Sequence, residues 1–208
     1  GLDNSDEARD HKLDGHYVKR QEHLLWFDLP NQPAYFEERM KEGSSLFNKA
    51  ELEWIRKLLI DLNEATAKAK EQGLLEKDSL KAVGVISYYR EQVNRVNQLV
   101  EELHLPHLHI RTGSVDKFQG MEMDVILLSM VRNNPHGEIG FAKDYRRLNV
   151  ALSRARELLM IVGSSDMFTM RPKKKETREM YQHLFNVVKQ QQGIRKITKE
   201  PVTWNSSN

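Results

Sequence analysis

Cysteine is absent from the 208 residues, which removes disulfides, thiol nucleophiles and cysteine-ligated zinc together. That absence suits a reducing compartment, so a cytoplasmic or otherwise intracellular setting is expected. No apolar run approaches the roughly 18 residues that span a bilayer, and the polar opening GLDNSDEARDHKLDGHYVKRQ does not read as a secretory signal. No membrane partner is expected. G-x-x-x-x-G-K-[ST] occurs nowhere, so the chain has no phosphate-cradling loop and no lysine to meet β- and γ-phosphates. Charge of one sign is also lacking in excess: 32 Lys and Arg against 30 Asp and Glu leave a net +2, which selects no partner. Gly rather than Met at position 1 reads as the start of an excised piece.

What is present is a globular composition, 39% hydrophobic and 30% charged, at a length that suits one domain with a substantial core or two small ones. The stretch to about Gln21 reads as loop or frayed terminus. Apolar runs at His23 to Pro30, Ala82 to Ser87, His107 to Val115, Asp124 to Val131 and Leu158 to Gly163 predict five buried strands. Between and after them, Asn48 to Gln72, Arg90 to Leu103 and Lys175 to Gln191 carry apolar residues at helical spacing, and Gly73 is placed to cap the first of these helices. Strands without strict alternation, separated by amphipathic helices, predict an α/β fold with a mostly parallel sheet covered on both faces.

The segment DYRRLNVALSRAR, Asp144 to Arg156, holds four arginines in what reads as a buried helix. At about 100° per residue, Leu148, Ala151, Leu152 and Ala155 form one stripe, and Arg147 and Arg154 fall on one flank of it. A guanidinium cannot lose its charge and offers a planar fork that fits phosphate oxygens. Solvated surface or local ion pairs are the commoner fate of such arginines. In open parallel sheets, however, ligands sit beyond the carboxyl ends of the strands, where loops and helix N-termini present donors. The loops placed there are SYYREQ, GSVDKFQGMEMD, VRNNPHGEIGFAKDYRR and GSSDMF, and their composition points to a nucleotide or nucleic-acid partner.

Two segments, Ser114 to Arg132 and Gly137 to Gly163, closely resemble motifs V and VI of superfamily 1 helicases. The likeness is to the 5′→3′ group that includes the nonsense-mediated-decay RNA helicase and senataxin. GVISYYREQ (Gly84 to Gln92) resembles that family's G-[IV]-I-[ST]-P-Y-R-x-Q motif, and SLFNKAE (Ser45 to Glu51) its S-x-x-N-x-x-E helix start. The resemblance implies a RecA-like three-layer sandwich and, within it, the second of two motor domains that clamp ATP and Mg2+ between them and pass DNA or RNA across their upper face. By that likeness, Arg154 is the arginine finger, Glu122 meets the nucleotide ribose and the Gly120 backbone lies near the phosphates. Arg147 braces the motif. Ser114, Asp116 and Gln119 correspond to the segment joining the ATP cleft to the strand path, and Ser87, Tyr89, Arg90 and Thr112 to contacts with the phosphodiester backbone. The implied partners are nucleic acid and the first motor domain of the same polypeptide, in a monomer.

The chain departs from the pattern in places. Tyr88 and Tyr145 replace the usual prolines, and Met121 and Met123 stand where charged residues are frequent. With Walker A missing, and with Asp124 at the start of its strand rather than the end where a Mg2+-holding acid would sit, the isolated chain is expected to be inactive as an ATPase. The domain reading is a polar segment at 1–22, the RecA-like domain at 23–170 and a basic helix and tail at 171–208, where Arg171 to Lys199 carry nine Lys or Arg against two Glu. A second reading is a stand-alone nucleic-acid-binding module that kept the motor fold and lost the ATPase. A third, a metal-dependent nuclease using Asp116, Glu122 and Asp124, lacks a lysine at the right spacing. His104, His107 and His109 have no carboxylate or thiolate at ligand spacing, so no metal site is expected.

Overall fold

The structure is a computed structural model that describes residues 10–198. Its centre is a six-stranded sheet built from β1 (Leu24–Asp28), β4 (Lys81–Ser87), β5 (Leu108–Ser114), β6 (Met123–Ser129), β7 (Ala155–Gly163) and β8 (Ile194–Lys196). The order across it is β5-β4-β6-β7-β1-β8, and every neighbouring pair is parallel. A separate two-residue ladder pairs β2 (Glu38–Arg39) with β3 (Leu46–Phe47). The helices are α1 (Lys49–Glu71), α2 (Arg90–Glu102), α3 (Tyr145–Leu152), α4 (Ser165–Thr169) and α5 (Lys175–Gln190).

Alternation along the strands divides the core in two. Val125 and Leu127 of β6, with Leu158, Met160 and Val162 of β7, pack under Ile55, Leu58, Leu59 and Leu62 of α1. Their neighbours Ile126, Leu128, Leu159 and Ile161 face Leu148 of α3, Met167 and Phe168 of α4 and Tyr181 and Val188 of α5. Burial on both faces explains why the strands read as continuous apolar runs. The result is the three-layer α/β sandwich that the residue pattern and the motif likeness together predict.

The predicted strands and long helices are present with their ends moved by a few residues. Asn48 caps α1 by accepting a hydrogen bond from Glu51 N, and Gly73 ends it at φ +69, a left-handed conformation that glycine adopts at low cost. Three expectations change. From Asp10 onward the opening segment is coil but not frayed: Leu13 and Val18 are fully buried, and the buried Asp61 of α1 accepts hydrogen bonds from the backbone of His16 and Tyr17 at 2.5 and 2.9 Å. Beyond residue 170 the chain adds α5 and the edge strand β8 to the same sheet. The end, PVTWNSSN, lies outside the described residues. Finally, the helix read through Arg156 stops at Leu152: Ser153 is its C-cap, and Ala155 already pairs with Met123 as the first residue of β7. The helical-wheel placement of Arg154 beside Arg147, and of Ala155 in the apolar stripe, therefore does not hold.

Candidate nucleotide and nucleic-acid site

The carboxyl ends of β4, β5 and β6 lie in register, with Ser87 opposite both Ser114 and Ser129. From this edge rise the loops that hold the sequence-predicted residues. After β5 the chain turns through a short 3-10 segment, Val115–Phe118, whose apolar ends are buried while Asp116 and Lys117 face solvent. Phe118 lies over Gly84, where any Cβ would come within 2.7 Å of its ring and 2.6 Å of Ile126. Gln119 and Gly120 follow, both exposed. Gly120 sits at φ +78 with nothing within 4 Å of where a Cβ would be, so here the backbone conformation rather than crowding calls for glycine.

Helix α3 packs against this turn. Asp144 caps it through Arg146 N, Leu148 and Ala151 are buried, and Arg147 reaches across to Asp116 at 3.0 Å. Where α3 gives way to β7, the half-buried Arg154 is held by neutral oxygens only. Its Nε donates to Val150 O at 3.0 Å, Nη1 to Met121 O at 3.3 Å and Nη2 to Ser153 Oγ at 2.8 Å. Its own carbonyl accepts from Met123 N, closing the turn onto the start of β6. Among the described residues, no carboxylate lies within ion-pair distance of Arg154. Arg156, two residues on, is different: it pairs with the exposed Glu122 at 3.3 Å and with Asp124 at 3.6 Å. Asp124 also accepts from Ala82 N at 2.9 Å.

The other predicted residues divide by exposure. Arg90 is exposed at the first position of α2, and Thr112 and Ser114 are half-buried along β5, with Thr112 Oγ1 bonded to Asn97. Ser87 and Tyr89 are buried, so their side chains shape the loop after β4 instead of lining its surface. Three acids named for a nuclease do not form a cluster: Asp116 is bound to Arg147, and Glu122 and Asp124 to Arg156. No group of three His, Cys, Asp or Glu among the described residues could hold a metal ion.

Sequence reasoning missed a buried polar network beneath this edge. Gln92 donates to Ser129 Oγ at 2.9 Å, Ser129 donates to Glu51 at 2.6 Å, and Glu51 also accepts from Val131 N at 2.9 Å. Asn48 joins it by accepting from Glu51 N at 3.1 Å and donating to Tyr35 O and Val131 O at 3.0 Å each. Burial pushes the Glu51 carboxyl up to about 8, against the hydrogen bonds from Ser129 and Val131. The only signal was that Asn48, Glu51 and Gln92 end polar motif positions within apolar faces. Also missed was Arg132, buried between Glu37 at 3.2 Å and Glu138 at 3.4 Å.

Residues 1–166 match the AAA domain family. The chain is 36% identical over 148 residues to the DNA polymerase alpha-associated DNA helicase A of Saccharomyces cerevisiae, an alignment covering 69% of this chain and 20% of that protein. It is 33% identical over 150 residues to the regulator of nonsense transcripts 1 homolog of Arabidopsis thaliana, covering 69% of this chain and 11% of that protein. The chain thus spans a fifth or less of the length of these relatives.

Proposed function

The chain belongs to the AAA domain family, and from that premise we propose that it is the second motor domain of an ATP-dependent superfamily 1 helicase, working against a first motor domain that holds the phosphate-binding loop. The observation that carries this reading is the state of Arg154. Its guanidinium is oriented by three neutral acceptors and has no carboxylate neighbour among the described residues. A fixed cation with no counter-ion is what a transferring phosphoryl group needs, because charge spreads over its equatorial oxygens as the bond to the leaving oxygen breaks.

The rest of the edge fits the same role. Gly120 offers backbone without a side chain at the tip of the turn, and Glu122, exposed beside Arg156, can exchange that partner for a ribose hydroxyl. Arg90, Thr112, Ser114, Asp116 and Gln119 follow one another along the β4–β5 side as the nucleic-acid track, with Ser87 and Tyr89 setting the loop beneath them. Mg2+ accompanies ATP to neutralise its phosphates. Asp116, Glu122 and Asp124 are engaged with arginines, so the first motor domain is assigned as its holder and the isolated chain as inactive.

The test is steady-state ATP turnover by the full-length protein with and without nucleic acid. Arg154→Ala is expected to lower kcat by about a thousandfold or more, with a nearly unchanged urea midpoint. Arg154→Lys is expected to stay impaired, since a point charge lacks the planar fork. Full turnover in Arg154→Ala would remove the arginine-finger role, whereas no turnover in the wild type with or without nucleic acid would favour a nucleic-acid-binding module without ATPase chemistry.

A further inference from the structure

We propose that the turn carrying Phe141 and Tyr145, together with Lys143, Lys173 and Lys174, binds single-stranded nucleic acid, with bases stacked on the two rings and phosphates held over the lysines. This deepens the motor-domain reading by extending its nucleic-acid surface to the turn that leads into α3 and to the lysines that precede α5.

Phe141 and Tyr145 expose 54% and 56% of their surface, although a large ring left in water is a cost that folding ordinarily avoids. The rings are not on a loose loop. Phe141 lies in a 3-10 turn, Gly140–Lys143, closed by hydrogen bonds from Ala142 N to Ile139 O and from Asp144 N to Phe141 O, each 3.2 Å. Between the exposed residues, Ala142 is fully buried, and its carbonyl accepts from Tyr181 Oη at 2.6 Å, tying the turn to α5. Gly140 lies at φ +55, and the Tyr89 hydroxyl fills the space a side chain would take, so the position suits glycine on both counts. Phe141 then rests on Tyr89 with ring centroids 5.4 Å apart. Rings fixed in this way lose little freedom when a base stacks on them.

Asp144, exposed between the two rings, is committed to capping α3 through Arg146 N, and the other charges beside the rings are cationic. Arg146 and Arg147 each lie 5.8 Å from a ring, of Tyr145 and Phe141 respectively. On the other side of the turn is a cleft of about 350 Å³ lined by Lys143, Lys173, Lys174 and Arg132. Its acid, Glu138, is taken by Arg132. Flanking cations are neutralised: Arg171 pairs with Asp166 and Lys175 with Glu179. Among the described residues, Lys143, Lys173, Lys174 and Arg146 have no carboxylate within ion-pair distance. Exposed π faces set among uncompensated cations match a polymer that alternates flat bases with anionic phosphates. A duplex hides its base faces and does not meet both requirements.

Fluorescence anisotropy with labelled oligo(dT) and oligo(U), titrated with the 208-residue chain at two salt concentrations, tests this. Phe141→Ala/Tyr145→Ala is expected to weaken single-strand binding by about tenfold or more, with Tyr145→Phe restored to near wild type and duplex binding unaffected. Lys143→Ala/Lys173→Ala/Lys174→Ala is expected to flatten the dependence of log Kd on log salt by about 2. Circular dichroism melts of the variants should match wild type, because all five side chains are exposed. Loss with the lysines alone would overturn stacking, and no change in either set would overturn the site, leaving the rings to a protein partner. Arg154→Ala should leave this binding intact, so a failed motor assignment shows in turnover and a failed platform in anisotropy.

Discussion

Glu51, in the first turn of α1, accepts a 2.9 Å hydrogen bond from the backbone of Val131, a fully buried β-branched residue held at φ +66. Arg132 N donates back to Met130 O at 2.7 Å, so the chain leaves β6 through a tight three-residue turn. The carboxyl of one motif thereby fixes the exit of another, and with it the direction in which Arg132 and the loop to α3 set off.

Glu51 should make stability depend on pH. Its carboxyl is pushed up to about 8 from 4.5 by burial, so between those values the unfolded chain ionises while the folded one stays protonated, and stability falls as pH rises. Buried His11 acts oppositely: its imidazole is depressed to about 4 from 6.5, so its contribution is lost as pH falls through that range. The window from 6.5 to 8 isolates Glu51. Urea denaturation should show a loss on the order of 1–2 kcal/mol across it, and Glu51→Gln should flatten that slope. An unchanged slope in the variant would mean that the carboxyl is ionised in the fold.

Val131 permits a test by sign. In an ordinary strand Gly is less stable than Ala by about 0.5–1 kcal/mol. At φ +66 the preference should reverse, so Val131→Gly should be at least as stable as Val131→Ala, both lying below wild type because a buried side chain is lost. Midpoints of thermal unfolding for the pair decide it.

At Gly84, an added Cβ meets Ile126 Cδ1 at 2.6 Å and Phe118 Cε1 at 2.7 Å. Gly84→Ala should cost about 1–3 kcal/mol and loosen the 115–122 turn, which hydrogen exchange at Gln119 and Met121 would report.

The Arg147–Asp116 pair spans 3.0 Å between exposed groups, so a double-mutant cycle should give a coupling below about 1 kcal/mol. In the full-length protein, Arg147→Ala should lower turnover far less than Arg154→Ala. Equal losses would show that Arg147 acts on the phosphates as well.

Much of the sheet was legible because a strand buried on both faces must be apolar throughout, as Val125 to Leu128 and Leu158 to Val162 are. The error at Ala155 has the same origin. Ala151, Leu152 and Ala155 satisfy helical spacing, but pairing of Ala155 with Met123 ends α3 at Leu152, and no local pattern reports that pairing. The strands β2, β3 and β8, of two or three residues, are too short to carry any period.

By itself the sequence determined the layers of the fold, the Gly73 end of α1 and the cluster of arginines near the carboxyl edge, since each follows from local spacing or residue chemistry. Tertiary structure alone decided the strand order and the burial of Glu51 beneath that edge. It also decided which arginines keep their charge unpaired among the described residues: Arg156 meets Glu122 and Asp124, while Arg154 meets neutral oxygens. Charge compensation depends on which groups from distant segments come within a few ångströms, and that distance is a property of the packed chain.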